Sequence, residues 1–148
     1  MTIRILLTCA ITLLITACAT VANFPATNQP YLDAKTRVQN LNSDQYQYLD
    51  DKTIYIGDID QDTPSGFGEL ISPDGSIYQG AIKNGHAHGF GKSTMITGEV
   101  YEGEHQQGTF EGKGKLTLSD GSFFIGIFKD HKAYRGEMHF TDGKVATL

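Results

Sequence analysis

From Tyr55 to Val145 apolar and polar residues alternate instead of recurring every three or four positions. Tyr55, Gly57 and Ile59, and again Tyr78, Gly80 and Ile82, share one face of an extended chain. Ile56, Asp58, Gln79, Ala81, Glu102 and Glu104 fall between such positions and are mostly polar. Period-two alternation of this kind is the pattern of a half-buried strand. The same lettering returns at a fixed interval. Tyr55, Tyr78, Tyr101 and Phe124 stand 23 residues apart, each followed two places on by a glycine: Gly57, Gly80, Gly103, Gly126. A Gly-x-Gly pair recurs in phase as Gly66/Gly68, Gly89/Gly91 and Gly112/Gly114. Asp74-Gly75, Thr97-Gly98, Asp120-Gly121 and, one residue early, Asp142-Gly143 close the units. A constant period of this size marks a repeat architecture.

Each unit reads as a β-hairpin of roughly 20 residues, because Asp-Gly between extended stretches is a tight-turn signal. Helix is a poor alternative, because the interior glycines cost about 1 kcal/mol apiece there. The glycines weaken strands as well, so they must serve another purpose. The reading adopted is that each leaves bare backbone on which the aromatic ring of the next repeat lies. One hairpin is marginal in water, whereas stacked hairpins share a continuous apolar face. The predicted fold is all-β: an elongated open antiparallel sheet of about four stacked hairpins. Eight strands at about 4.8 Å spacing give a sheet about 40 Å long.

Tyr-x-Gly, Gly-x-Gly and Asp-Gly in this phase resemble the MORN repeat (membrane occupation and recognition nexus). The resemblance spans residues 55–145, about 91 of 148, in units 55–77, 78–100, 101–123 and 124–145. The second unit has Thr97 where the turn aspartate is usual. The fourth has Phe124 for tyrosine, lacks one residue and keeps only Gly136 of its glycine pair, as suits a terminal repeat with one solvent-facing edge. Upstream, Asp51-Lys52-Thr53-Ile54 aligns with Asp74-Gly75-Ser76-Ile77, and Gln45 to Leu49 is expected to add a degenerate capping strand.

The first 17 residues follow other rules. Arg4 precedes a short apolar run from Ile5 to Ala17, too brief to span a bilayer, which reads as a signal peptide. Leu14-Ile15-Thr16-Ala17-Cys18 resembles a bacterial lipobox, which implies lipid attachment at Cys18; ordinary cleavage after Ala19 is the alternative. Ala19 rather than aspartate follows the cysteine, which in a Gram-negative cell implies sorting to the outer membrane. Several acyl chains anchor firmly at about 0.8 kcal/mol per buried methylene. Cys9 lies in the removed segment, so the mature domain has neither a free thiol nor a disulfide. Residues 18–44, with Pro25 and Pro30, read as a lipidated N-terminus and flexible tether carrying at most a weak helical turn between Leu32 and Leu41. Residues 45–148 read as one sheet domain.

Charge narrows the partners. The chain carries −5, which with export argues against nucleic acid. Tyr55 to Glu104 holds eight acidic residues and two lysines, and His105 onward five acidic and six basic. Such polarity orients a partner or a second copy, or is simply a solvated surface. Asp58, Asp60, Asp62 and Glu69 mimic the spacing of a calcium loop, but Thr63 stands where that loop needs glycine and the repeat phase already accounts for Glu69. Gly89-Phe90-Gly91-Lys92-Ser93 fails as a phosphate loop because His86 stands where its first glycine belongs. His86 and His88 are placed in the loop of the second unit, and the histidines as a group read as exposed loop residues with no third metal ligand. With no surviving thiol and no Gly-x-Ser-x-Gly elbow, the chain is expected to be non-catalytic and to need no cofactor.

The expectation is therefore a lipid-anchored envelope protein whose sheet binds a protein or serves as a scaffold, by its face, by its open edge, or by self-association. The alternative is direct recognition of membrane lipid or glycan. Tyr55, Tyr78, Tyr101 and Phe124, with Phe67 and Phe90 beside them, form the candidate binding face; the same rings serve equally as a core ladder.

Overall fold

The computed structural model describes residues 28–148; the expected signal peptide and the expected lipid-attachment site Cys18 lie outside them. Ten strands run in chain order in one antiparallel meander. They are β1 (Tyr46–Tyr48), β2 (Ile54–Asp60), β3 (Thr63–Ile71), β4 (Ile77–Lys83), β5 (His86–Thr94), β6 (Val100–Gln106), β7 (Thr109–Thr117), β8 (Phe123–Lys129), β9 (Lys132–His139) and β10 (Val145–Thr147). The predicted hairpins are β2–β3, β4–β5, β6–β7 and β8–β9. The capping strand is β1, and β10 adds a second cap that makes the sheet longer than the eight strands expected.

Two kinds of turn alternate along the two long margins. On one margin Gln61-Asp62, Asn84-Gly85, Gln107-Gly108 and Asp130-His131 have positive φ at both positions, the geometry whose twist matches that of the flanking strands. On the other, an aspartate caps every turn but Thr97-Gly98: Ser76, Ser122 and Lys144 donate their N–H to Asp74, Asp120 and Asp142. The upstream fragment repeats the device, Thr53 N–H donating to Asp51, with Lys52 in the glycine place at φ +69°.

The register separates two faces. On one, Tyr55 faces Leu70, Tyr78 faces Leu70 and Ser93, Tyr101 faces Ser93 and Leu116, and Phe124 faces Leu116 and Met138. Glycine faces glycine beside them across every hairpin: Gly57–Gly68, Gly80–Gly91, Gly103–Gly114, Gly126–Gly136. Register shifts at Gly57/Ile59, Gly80/Ile82 and Gly103/His105 bend the first strand of the first three hairpins.

The opposite face has a buried apolar cluster at its first end, where Ile54, Ile56, Ile71 and Ile77 gather, and a helix covers it. This helix, α1 (Gln29–Arg37), with Pro30 in its first turn and a 3₁₀ turn at Val38–Asn40, buries Ala34 and Val38 on those isoleucines. Arg37 pairs with Glu69 at 2.8 Å, and the Tyr31 hydroxyl donates to Lys52 O. The stretch expected to be tether is therefore helical from residue 29 and docked on the sheet. Tyr31, Ala34, Val38 and Leu41 lie on one helical face, and burying them outweighs the weak local propensity.

Candidate functional site

The ring ladder is built within each hairpin. A Cβ on Gly91 would meet Tyr78 Cε2 and Cζ at 2.5 and 2.6 Å, and one on Gly114 would meet the same atoms of Tyr101 at the same distances. Gly68 stands likewise against Tyr55. Each ring thus covers the glycine pair of its own repeat, which corrects the expectation that it reaches the next one. The reason is the strand bend, which turns the hydroxyl back onto its own hairpin. Tyr55 donates to Asp58 O at 2.6 Å, Tyr78 to Ala81 O at 2.7 Å and Tyr101 to Glu104 O at 3.0 Å. Burial, reinforced by Asp58 for Tyr55 and by Glu104 and Glu111 for Tyr101, pushes both phenols up to about 12; burial also raises Tyr78. All three stay protonated donors at physiological pH.

The six residues of the predicted binding face do not come together. Tyr55, Tyr78, Tyr101 and Phe124 are buried, whereas Phe67 and Phe90 are 72% and 69% exposed. Phe67 pairs with Ala81 and Phe90 with Glu104, on the side of the sheet away from the ladder. Tyr55 faces Leu70 and Tyr78 faces Ser93, and Phe67 and Phe90 each lie three positions from those partners along the strand, so alternation puts ring and phenylalanine on opposite sides. The ladder rings are thus core, and the exposed phenylalanines belong to another surface.

What the ladder side offers is a groove of about 1040 Å³ running from Gln47 and Tyr48 in β1 to Leu116 in β7. Leu70, Ser93 and Leu116 line it, with Tyr78, Ala87 and Phe110. One bank is formed by the margin of the Asp51, Asp74 and Thr97 turns, with Asp50, Asp51, Ser72, Met95 and Glu99; the other by Asn84, Gly85, Gly108 and His131. The banks converge at the first end, where a Cβ on Gly85 would lie 3.9 Å from Leu49 Cδ1. A smaller apolar hollow of about 290 Å³ follows at the other end, between Leu116, Phe124, Met138 and Leu148.

Two substitutions break the repeat columns here. His105 stands where the first two units have Ile59 and Ile82 and the fourth has Phe128, and Ser93 stands between Leu70 and Leu116. They are bonded to each other: His105 Nε2 lies 3.0 Å from Ser93 Oγ, and Nδ1 lies 3.0 Å from Gly103 O. A carbonyl only accepts, so Nδ1 carries the proton and Nε2 accepts the serine O–H. His105 is 3% exposed, edge-on to Tyr78, Tyr101 and Phe110. Burial, and less strongly the neighbouring His131, lower its pKa. The expectation of exposed loop histidines fails at His105, and His86 and His88 open strand β5. Reading each column for its odd residue would have found this pair.

Asp58, proposed for a calcium loop and set aside, accepts the Phe67 N–H at 3.3 Å. Among the described residues no three His, Cys, Asp or Glu side chains gather to hold a metal ion.

No curated protein matches this chain. The match to the family ends at residue 123, although β8 and β9 carry the same hairpin one unit further. Its family model, described as the MORN repeat, covers residues 55–77, 78–100 and 101–123, and on that evidence together with the ladder the chain is a MORN repeat protein.

Proposed function

We propose that this is a non-catalytic, lipid-anchored protein of the bacterial envelope whose sheet binds a protein partner in the groove over its ring ladder. MORN repeats serve as membrane- and protein-binding modules. The observation that carries the protein-binding reading is the groove itself: it is long, and the buried rings beneath it give it a fixed floor. Backbone donors of that floor are committed to the sheet ladder, so recognition there falls to side chains. The anchor rests on the sequence around Cys18, and the location proposed is the outer membrane facing the periplasm, with a secreted or periplasmic soluble protein as alternative. A photo-crosslinking residue at Leu116 in living cells is expected to capture a defined protein, while one at Phe90 is not. Capture from Phe90 alone would move the site to the other face. Direct binding of lipid or glycan is the second reading, favoured by exposed Phe67 and Phe90. Flotation of Cys18→Ser with liposomes separates them, since binding only through the acyl group removes the second.

A further inference from the structure

We infer that the groove takes a cationic, amphipathic segment of the partner, read by the acidic bank and by the hydroxyl of Ser93. This rests on the protein-binding reading and adds the chemistry of what is bound. The argument is one of donors and acceptors. Asp50, Asp51 and Glu99 line the groove, and no lysine or arginine does. Among the described residues none of the three is in an ion pair; the pairs that form are Arg37–Glu69, Lys92–Glu102, His139–Glu137 and Lys144–Asp142.

On the floor, Ser93 has its only hydroxyl proton committed to His105 Nε2, because Nδ1 is committed to Gly103 O. The serine therefore presents lone pairs alone to an occupant and accepts a hydrogen bond without offering one. At the narrow end, the Gln47 side-chain oxygen is buried with no donor in the described chain. Leu70 and Leu116 flank Ser93 and offer apolar contact on either side. A groove so furnished fits a segment with apolar side chains facing the floor, an N–H or O–H over Ser93, and lysine or arginine towards Asp50, Asp51 and Glu99. An acidic segment meets three like charges and, at Ser93, no free donor. The occupant is thus selected partly by what the groove rejects.

Fluorescence anisotropy of the full chain with two labelled model peptides of equal length tests this, one amphipathic with leucine and lysine, the other with leucine and glutamate. The lysine peptide is expected to bind at least about tenfold more tightly, and more weakly as salt is raised. Joint replacement of Asp50→Asn, Asp51→Asn and Glu99→Gln is expected to abolish that preference. Ser93→Ala is expected to weaken the lysine peptide about three- to tenfold, with Ser93→Thr retaining most of it. Asp51 caps its turn through Thr53 and Ser93 bonds His105, so circular dichroism and urea unfolding of each variant verify the fold before binding is compared. No binding of the lysine peptide, equal binding of both, or indifference to the charge replacements overturns the inference. A Leu116 crosslink to an acidic or uncharged segment would overturn it while leaving the protein-binding reading intact; loss of any Leu116 crosslink would remove that reading itself.

Discussion

If the glycines exist to make room for rings of their own repeat, then removing the ring should remove the need for the glycine. Gly91 is the cleanest place to ask. Its backbone is not in the left-handed region, and the three nearest atoms to an added Cβ all belong to Tyr78. Gly91→Ala therefore forces a 7%-exposed ring out of its place. Overpacking of this kind costs about 1–3 kcal/mol, against about 0.4–1 kcal/mol gained from a stiffer unfolded chain. The net loss expected is about 1–2 kcal/mol. Tyr78→Leu ends before Cε2 and Cζ and costs about 2 kcal/mol by its own lost packing. In that background Gly91→Ala should be neutral or slightly stabilising, which gives a coupling of about 1–3 kcal/mol. Gly80→Ala is the control, because its Cβ would meet Gly91 Cα at 2.6 Å and Phe90 O at 2.7 Å, backbone that Tyr78→Leu leaves in place. Urea unfolding followed by far-ultraviolet circular dichroism, with the slope held common, measures all six proteins, the control included in both backgrounds. Additive losses for Gly91→Ala and Tyr78→Leu would refute the account of why the glycines recur.

His105 has its pKa lowered by burial, so its neutral form is the one the fold favours. Stability should be full above about 6.5, the ordinary histidine value, and fall as the pH drops below it towards the lowered folded value; His105→Ile should flatten that fall in pH-dependent unfolding, and an unchanged slope would contradict it. Ala34→Asp places a charge at a site with no exposure and should undock α1 at a cost of about 3 kcal/mol, seen as faster amide exchange confined to residues 29–40 and β2; protection spread unchanged over both would contradict it. Phe67→Ser and Phe90→Ser touch no core and should each shift stability by less than about 0.5 kcal/mol in urea. Tyr101→Phe loses the hydroxyl's bond to Glu104 O and its longer contact with Glu111 O and should cost about 1 kcal/mol by the same assay, in keeping with phenylalanine at the equivalent Phe124.

The hairpins were legible because period-two patterning and turn chemistry are local. Tyr55-Ile56-Gly57 and Asp74-Gly75-Ser76 say strand and turn wherever they stand, and a period of 23 residues says how many times. The capping strand β1 was legible by the same rule, since Asp51-Lys52-Thr53 repeats the turn. Harder to see was anything that depended on which side of the sheet a residue takes. The bend at the glycine column reverses a tyrosine hydroxyl onto its own hairpin, the pairing of Tyr55 with Leu70 puts Phe67 on the far face, and no count of residues foretells either without the register. The docking of α1 was hidden for another reason: Ala34 and Val38 make a weak helix alone and a buried one only against Ile54 and Ile71, which are distant in sequence.

The sequence by itself determined that this chain is a stack of hairpins with rings and glycines in columns, because each unit repeats the same short-range chemistry. Only the tertiary structure decided that the rings are floor and not contact surface, that a helix closes one end of the opposite face, and that His105 and Ser93 meet. These follow from strand bend, register and long-range packing, in which residues far apart along the chain settle each other's exposure.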